Sequence, residues 1–262
     1  MQNYSLITGA AGLLGEYHAK GLLEIGYDLI LTDLDTHKLK DIQIKLNSKF
    51  NKNKILYYKM DVTSEKSIKQ VLNKINKSGG IVNNLINNAA IDAKIKGGKN
   101  TKFENFNLKQ WNKELNVGLT GAMLCSQIFG SQMVEKKIKG SIINIASDLS
   151  VIAPKQNLYK IKNQPKFIKP ITYSVIKHGI LGLTKYLASY WGKDNIKVNS
   201  LSPGSVLNDQ STGLQNRLKK EIPMNRLASK SEYIGAIQFL SSENSNYMTG
   251  QNIIIDGGRT IW

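Results

Sequence analysis

The chain has 262 residues, 41% of them hydrophobic, which suits one large α/β domain with a sizeable core. Its single cysteine, Cys125, excludes an intrachain disulfide and a cysteine metal cluster; a start without a leader pattern and the lack of a bilayer-length apolar run make a cytoplasmic protein with no membrane partner the expectation. The net charge of +17 raises nucleic acid as a partner, but the lysines are scattered from Lys20 to Lys230, without a like-charge block or interleaved aromatics, so they read as solvated faces and no nucleic acid is expected.

Residues 3–7 read as a short strand. The turn Thr8-Gly9-Ala10-Ala11-Gly12-Leu13-Leu14-Gly15 follows, then an amphipathic helix to about residue 25. Strand, glycine turn and helix together form a phosphate-binding device: glycines let the backbone approach a pyrophosphate, and the helix start supplies N–H donors. Residues 27–32 form a second strand with Asp33 at its end, 24 residues after Gly9. A carboxylate there accepts hydrogen bonds from ribose hydroxyls and repels a 2′-phosphate, which argues for NAD over NADP. The other role for such a carboxylate, a helix N-cap, suits Asp35 or Thr36 better.

Residues 36–49 read as a polar helix and 55–60 as a third strand ending at Asp61-Val62-Thr63. Residues 64–77 form a helix with Ile68, Val71, Leu72 and Ile75 on one face. A fourth strand, 84–86, runs into Asn87-Asn88-Ala89-Ala90. Residues 93–100 read as a loop and 108–137 as a long helical stretch, with Cys125 as a packed small residue rather than a nucleophile. Strands are expected at 141–146, 196–201 and 251–255, and helices at 173–191, 211–221 and 229–241. Such alternation predicts a single-domain Rossmann fold: a doubly wound parallel sheet of about seven strands, with ligands beyond the carboxyl ends of the strands.

Tyr173 and Lys177 stand four apart in an apolar-periodic segment, one turn apart on one helix face. A free tyrosine titrates near ~10, and a lysine cation beside it favours the phenolate. Reaching about 7 takes roughly three units, or about 4 kcal/mol. Such a tyrosine exchanges a proton with an alcohol or carbonyl at neutral pH. Taken alone, Tyr-x-x-x-Lys is a common helical spacing.

Together with Ser147, the glycine turn, Asp-Val-Thr, Asn-Asn-Ala, Pro203-Gly204 and the terminal Thr-Gly-Gln…Asp-Gly-Gly, these residues resemble the short-chain dehydrogenase/reductase family, classical branch, over essentially the whole chain. The resemblance implies hydride transfer between a nicotinamide cofactor and a carbinol carbon. It makes Tyr173 the general acid/base. Lys177 would lower the pKa of Tyr173 and hold the nicotinamide ribose, and Ser147 would bond the substrate oxygen, with Ser150 as second candidate. Gly9, Gly12, Leu14 and Gly15 would line the phosphates. Asp61 and Val62 would flank the adenine, Asn88 with Ala89 would support the adenosine ribose, and Pro203, Gly204 and Val206 would meet the carboxamide. Family members usually pair the two long helices into homodimers or homotetramers; Leu124, Ile128, Leu183 and Leu187 suit that interface or the core.

Four departures stand out. Leu13 replaces a usual glycine. Gly118 stands where the family's relay asparagine falls, with Asn116 two residues away. Asn208 replaces a usual threonine. Ser147 and Tyr173 are 26 residues apart, a gap longer than is usual. The extra segment, about 151–171, carries Lys155, Lys160, Lys162, Lys166 and Lys169 and no acidic residue between them. It is expected to border the substrate pocket, either recognising an anionic substrate such as a sugar phosphate or nucleotide sugar or forming a solvated loop. The ending Asp256-Gly257-Gly258-Arg259-Thr260-Ile261-Trp262, with the turn variant and Gly118, is similar to oxidoreductases of bacterial surface-sugar (nonulosonic acid) pathways. The rival readings are a dinucleotide-binding regulator without turnover and a 3-oxoacyl or other carbonyl reductase of the same family. No metal is expected.

Overall fold

In a computed structural model that describes residues 2–91, 102–159 and 168–262, seven parallel strands form one sheet in the order β3-β2-β1-β4-β5-β6-β7. The strands are β1 (Gln2–Thr8), β2 (Asp28–Asp33), β3 (Ile55–Lys59), β4 (Gly80–Asn87), β5 (Gly140–Ile145), β6 (Ile196–Pro203) and β7 (Asn252–Ile255). The helices are α1 (Gly15–Glu24), α2 (Thr36–Asn47), α3 (Glu65–Lys77), α4 (Leu108–Leu115), α5 (Gly121–Glu135), α6 (Ile171–Trp191), α7 (Thr212–Lys219) and α8 (Ile234–Ser241).

The central strands β1, β2, β4, β5 and β6 are buried in nearly unbroken runs because helices cover both faces of the sheet. The period of two is visible in where successive side chains go. Ile7, Leu29, Leu31, Ile86 and Ile143 pack with α1, α2 and α8; their neighbours Leu6, Ile30, Leu85 and Ile142 pack with α3, α5 and α6. Each such side chain, fully buried, contributes about 1.5–3 kcal/mol of apolar transfer. Cys125 lies in the second layer, where burial pushes its thiol up to about 12, as expected of a packing residue.

Three expectations shift in detail. β4 begins at Gly80, four residues earlier than its apolar core suggests, because the polar Asn84 is buried and donates to the Ser5 and Ser241 hydroxyls. The stretch 108–137 divides into α4, a π-helical turn Asn116–Thr120, and α5. A 3₁₀ turn, Lys230–Tyr233, precedes the shorter α8.

The chain reverses direction across the sheet between β1 and β4, and the carboxyl ends of the strands open one crevice there. Gly9, Asp33, Asp61, Asn88, Ser147 and Gly204 all stand at or just beyond those ends. Of the inserted segment, residues 151–159 and 168–171 are described. Its turn Gln156–Tyr159 docks through Leu158 and Tyr159 against Leu214 and Leu218 of α7. The loop 93–100, Lys160, Lys162 and Lys166 lie outside the described residues.

Candidate active site

The glycine turn is pressed against the end of β4. Gly9 has φ of +61°, and a Cβ there would lie 2.6 Å from the Ala89 Cα, so only glycine fits. Asn88 locks the turn: its Nδ2 donates to the Thr8 and Gly9 carbonyls at 3.1 and 2.8 Å, while the Asn88 and Ala89 N–H groups donate to Thr8 Oγ1. This bracing is a use of Asn88 that its sequence position does not announce.

Side-chain capping divides the helices, and α1, α5, α6 and α8 start without it. Asp35, Ser64, Asn107 and Ser211 cap α2, α3, α4 and α7 with side-chain oxygens. The α1 start, at Leu14, has no side-chain cap, and Gly12 and Leu13 before it are exposed. Uncapped N–H donors at a helix start are an anion site. Gly15 seats the helix on the turn, since a Cβ there would meet the Ala10 carbonyl at 2.2 Å.

Asp33 closes the far side. Its Oδ2 accepts the Ala11 N–H at 3.0 Å and its Oδ1 the Leu34 N–H at 2.7 Å, so a fixed negative charge borders the turn. Asp35 takes the N-cap role instead, accepting from Lys38. Asp61 is half-buried, with Oδ1 accepting both Thr63 donors, and Val62 is buried beside it. Beneath the turn, His18 is fully buried, and neither ring nitrogen has a partner of normal geometry. Burial lowers its pKa to about 4; the nearby Asn88 side chain opposes that shift.

On the other side of the crevice α6 packs along β6 and against the short turn that follows Ser147. Lys177 is buried, and its Nζ donates to the Ile145 carbonyl at 2.7 Å, two residues before Ser147. The same Nζ lies 5.9 Å from the centre of the Tyr173 ring, with Tyr173 half-buried in the first turn of α6. A second ammonium, that of Lys169, lies 3.9 Å from that ring centre. Gln156 holds the Lys169 backbone at both its N–H and its carbonyl. Lys155 is engaged elsewhere, in an ion pair with Glu221.

Ser147 is buried at the end of β5. Ser150 donates to the Ser147 carbonyl and contacts the Ser202 hydroxyl at 3.0 Å, so its oxygen is an internal brace rather than a second site group. Pro203 and Val206 are buried, and the Gly204 N–H donates to the Ile255 carbonyl. Asn208 is exposed on the following loop.

Gly118 lies in the π-helical turn, and a Cβ there would come within 2.8 Å of Ile176, so Ile176 takes the room an asparagine side chain would need. Asn116 is exposed and does not substitute for it. A residue not anticipated is Glu114, buried one turn before Gly118. It accepts from Gln110 Nε2 and from the Thr172 hydroxyl, placing a carboxyl group at the start of α6, which lacks an acidic residue in its own first turn. Nothing in the sequence marks it, because its partner Thr172 lies 58 residues away.

A family model described as enoyl-(acyl carrier protein) reductase matches residues 9–260. The chain belongs to the short-chain dehydrogenase/reductase family. It is an oxidoreductase that works with a nicotinamide cofactor. The chain is 30% identical to an NADH-dependent L-xylulose reductase of Ambrosiozyma monospora, covering 98% of this chain and 95% of that protein. It is also 30% identical to post-translational flagellin modification protein A of Campylobacter coli, covering 96% of each. A short-chain dehydrogenase of Leptospira borgpetersenii with bound NAD+ superposes with a TM-score of 0.82, at 28% identity over 99% of this chain and 93% of that one. ElxO with NADP bound superposes equally, at 0.82 and 27% over the whole of both chains. The residues present fit such a cofactor: the α1 start has N–H donors without a side-chain cap, and the Asp33 carboxylate borders the glycine turn.

Proposed function

We propose that this protein interconverts an alcohol and a carbonyl on an anionic sugar derivative, with NAD(H) as the preferred cofactor. The observation that carries this is the Lys177 ammonium, which bridges the strand bearing Ser147 and the ring of Tyr173. In the oxidative direction Tyr173 takes the hydroxyl proton, its phenolate favoured by Lys177, while Ser147 holds the reacting oxygen. In reduction Tyr173 returns the proton. The hydride would be supplied or accepted by a nicotinamide cofactor when one is bound. Gly9, Gly12, Leu14 and Gly15 hold the pyrophosphate. Asp33 takes the adenosine ribose, Asp61, Val62, Asn88 and Ala89 border the adenosine, and Pro203, Gly204 and Val206 meet the carboxamide.

Lys169 supports the anionic substrate, because it brings a cation from the inserted segment onto the Tyr173 ring. The L-xylulose-reducing relative favours a carbohydrate. Of the apolar candidates for self-association, Ile128 and Leu187 are buried in the core. The stacked and exposed Tyr186 and Tyr190 on α6, with Val175, are better suited to pairing two copies, and we assign the dimer contact to that face. The second reading, reduction of an acyl-thioester carbonyl, draws on the description of the matching family model.

The test follows reduced-cofactor absorbance with L-xylulose and xylitol, glucose 6-phosphate, UDP-glucose and acetoacetyl-CoA. The expected result is turnover of a carbohydrate, with Lys169→Gln raising KM for a phosphorylated sugar and leaving a neutral one unchanged. Turnover of acetoacetyl-CoA alone moves the assignment to the second reading.

A further inference from the structure

Arg259, in the final 3₁₀ turn, reaches Asp148 across 111 residues of sequence, with Nη1 to Oδ2 at 2.7 Å. Both side chains are enclosed, 5% and 4% exposed. A guanidinium and a carboxylate taken out of water lose hydration that their attraction only partly returns, and an apolar pair of similar volume stabilises a core as well or better. Stability alone therefore does not account for this pair.

Its location does. The other Asp148 oxygen, Oδ1, accepts from Ser147 Oγ at 2.8 Å and from the Leu149 N–H at 2.8 Å. A carboxylate has no proton to give, so the Ser147 hydroxyl is the donor in the first contact. The Leu149 N–H also reaches Ser147 Oγ, at 3.2 Å. Arg259 is itself held in place. Asp256, just ahead of it, accepts from the Gly258 and Thr260 N–H groups at 2.9 and 2.7 Å, closing the turn that aims Arg259 inward. Arg259 Nη1 extends to Ser205 Oγ at 3.5 Å, on the loop after β6. One guanidinium thus ties the end of the chain to the loops after β5 and β6.

We propose that Arg259 and Asp148 are positioning residues for Ser147: they hold its proton toward Asp148, so that the Ser147 oxygen presents lone pairs to the substrate. This rests on the assignment of Ser147 to the substrate oxygen. An alcohol donates to such an acceptor without rearrangement. A carbonyl needs the Ser147 proton and must draw it from a charge-assisted bond. The pair therefore favours binding of the alcohol over binding of its carbonyl partner.

The test is the double variant Asp148→Leu/Arg259→Met, which leaves no unpaired buried charge, beside Arg259→Lys and Ser147→Ala. The probes are xylitol and L-xylulose, or the alcohol–carbonyl pair of the panel above that turns over fastest. For the double variant the expected results are unchanged NADH binding by fluorescence, kcat/KM for the alcohol down about 10-fold to 10²-fold, and a raised ratio of alcohol KM to carbonyl KM. Arg259→Lys, which keeps the cation, restores that ratio toward the native value. A double variant with native kcat/KM and an unchanged ratio overturns the proposal while Ser147→Ala remains crippled. Native turnover in Ser147→Ala overturns the assignment of Ser147 itself. Loss of NADH binding in both the double variant and Arg259→Lys makes the pair structural and overturns the proposal as well.

Discussion

On the dinucleotide side of the crevice, from Gly9 to Ala89, the holding contacts are made largely by backbone. Gly9 touches Ala89 main chain, Asn88 grips two turn carbonyls, and the α1 start keeps its N–H groups uncapped. The nearest buried titratable group, His18, is kept from charging. On the substrate side, from Ser147 to Arg259, charges are buried and paired. Lys177 is anchored to the Ile145 carbonyl, Glu114 to Thr172, and Asp148 to Arg259. On the proposed assignment, one side binds an anion with dipoles and therefore needs shape. On the same assignment, the other moves a proton and therefore needs charges held in fixed relation.

Acid should break that contrast first. His18 keeps its neutral form in the folded protein at a pKa of about 4, against 6.5 for an ordinary histidine. The unfolded chain therefore binds more protons between those values. Stability is unaffected by this group above about 6.5, and it falls as pH drops from there to about 4. The total loss is about 3 kcal/mol at 1.36 kcal/mol per pKa unit. Denaturant unfolding at pH 7 and pH 4 checks this: His18→Leu should flatten the decline by that amount, and an unchanged decline removes His18 as its source.

Shape on the dinucleotide side is tested by Gly9→Val. Its positive φ costs a β-branched residue about 1–3 kcal/mol, and its Cβ meets Ala89. The variant should lose stability by at least that range and bind NADH more weakly. Native NADH affinity and a native unfolding midpoint would show that the turn needs no glycine there.

The smallest effect belongs to Asp33→Ala. It removes the charge that borders the turn, so the preference for NAD over NADP should narrow by about tenfold, or about 1.4 kcal/mol. Paired fluorescence titrations of NADH and NADPH measure it, and an unchanged ratio takes Asp33 out of that role.

The same contrast explains what was legible in the sequence. Alternating strands and helices, the glycine turn, Asp33 and Tyr173-x-x-x-Lys177 are local patterns, and local patterns survive in a linear reading. Asp148 with Arg259, Glu114 with Thr172, and Asn87 bonded to Asn144 and Ser126 join residues 35 or more positions apart in sequence. Nothing local marks such pairs. Asn84 shows the same blindness at the level of the fold: a polar residue reads as a strand end until the buried hydroxyls that satisfy it are known.

The central assignment, an acidified phenol on the first turn of α6, is tested most directly by Tyr173→Phe, with turnover and NADH affinity measured on one preparation. The account predicts turnover lowered about 10²–10⁴-fold and NADH affinity unchanged. Turnover that survives the loss of the hydroxyl contradicts it.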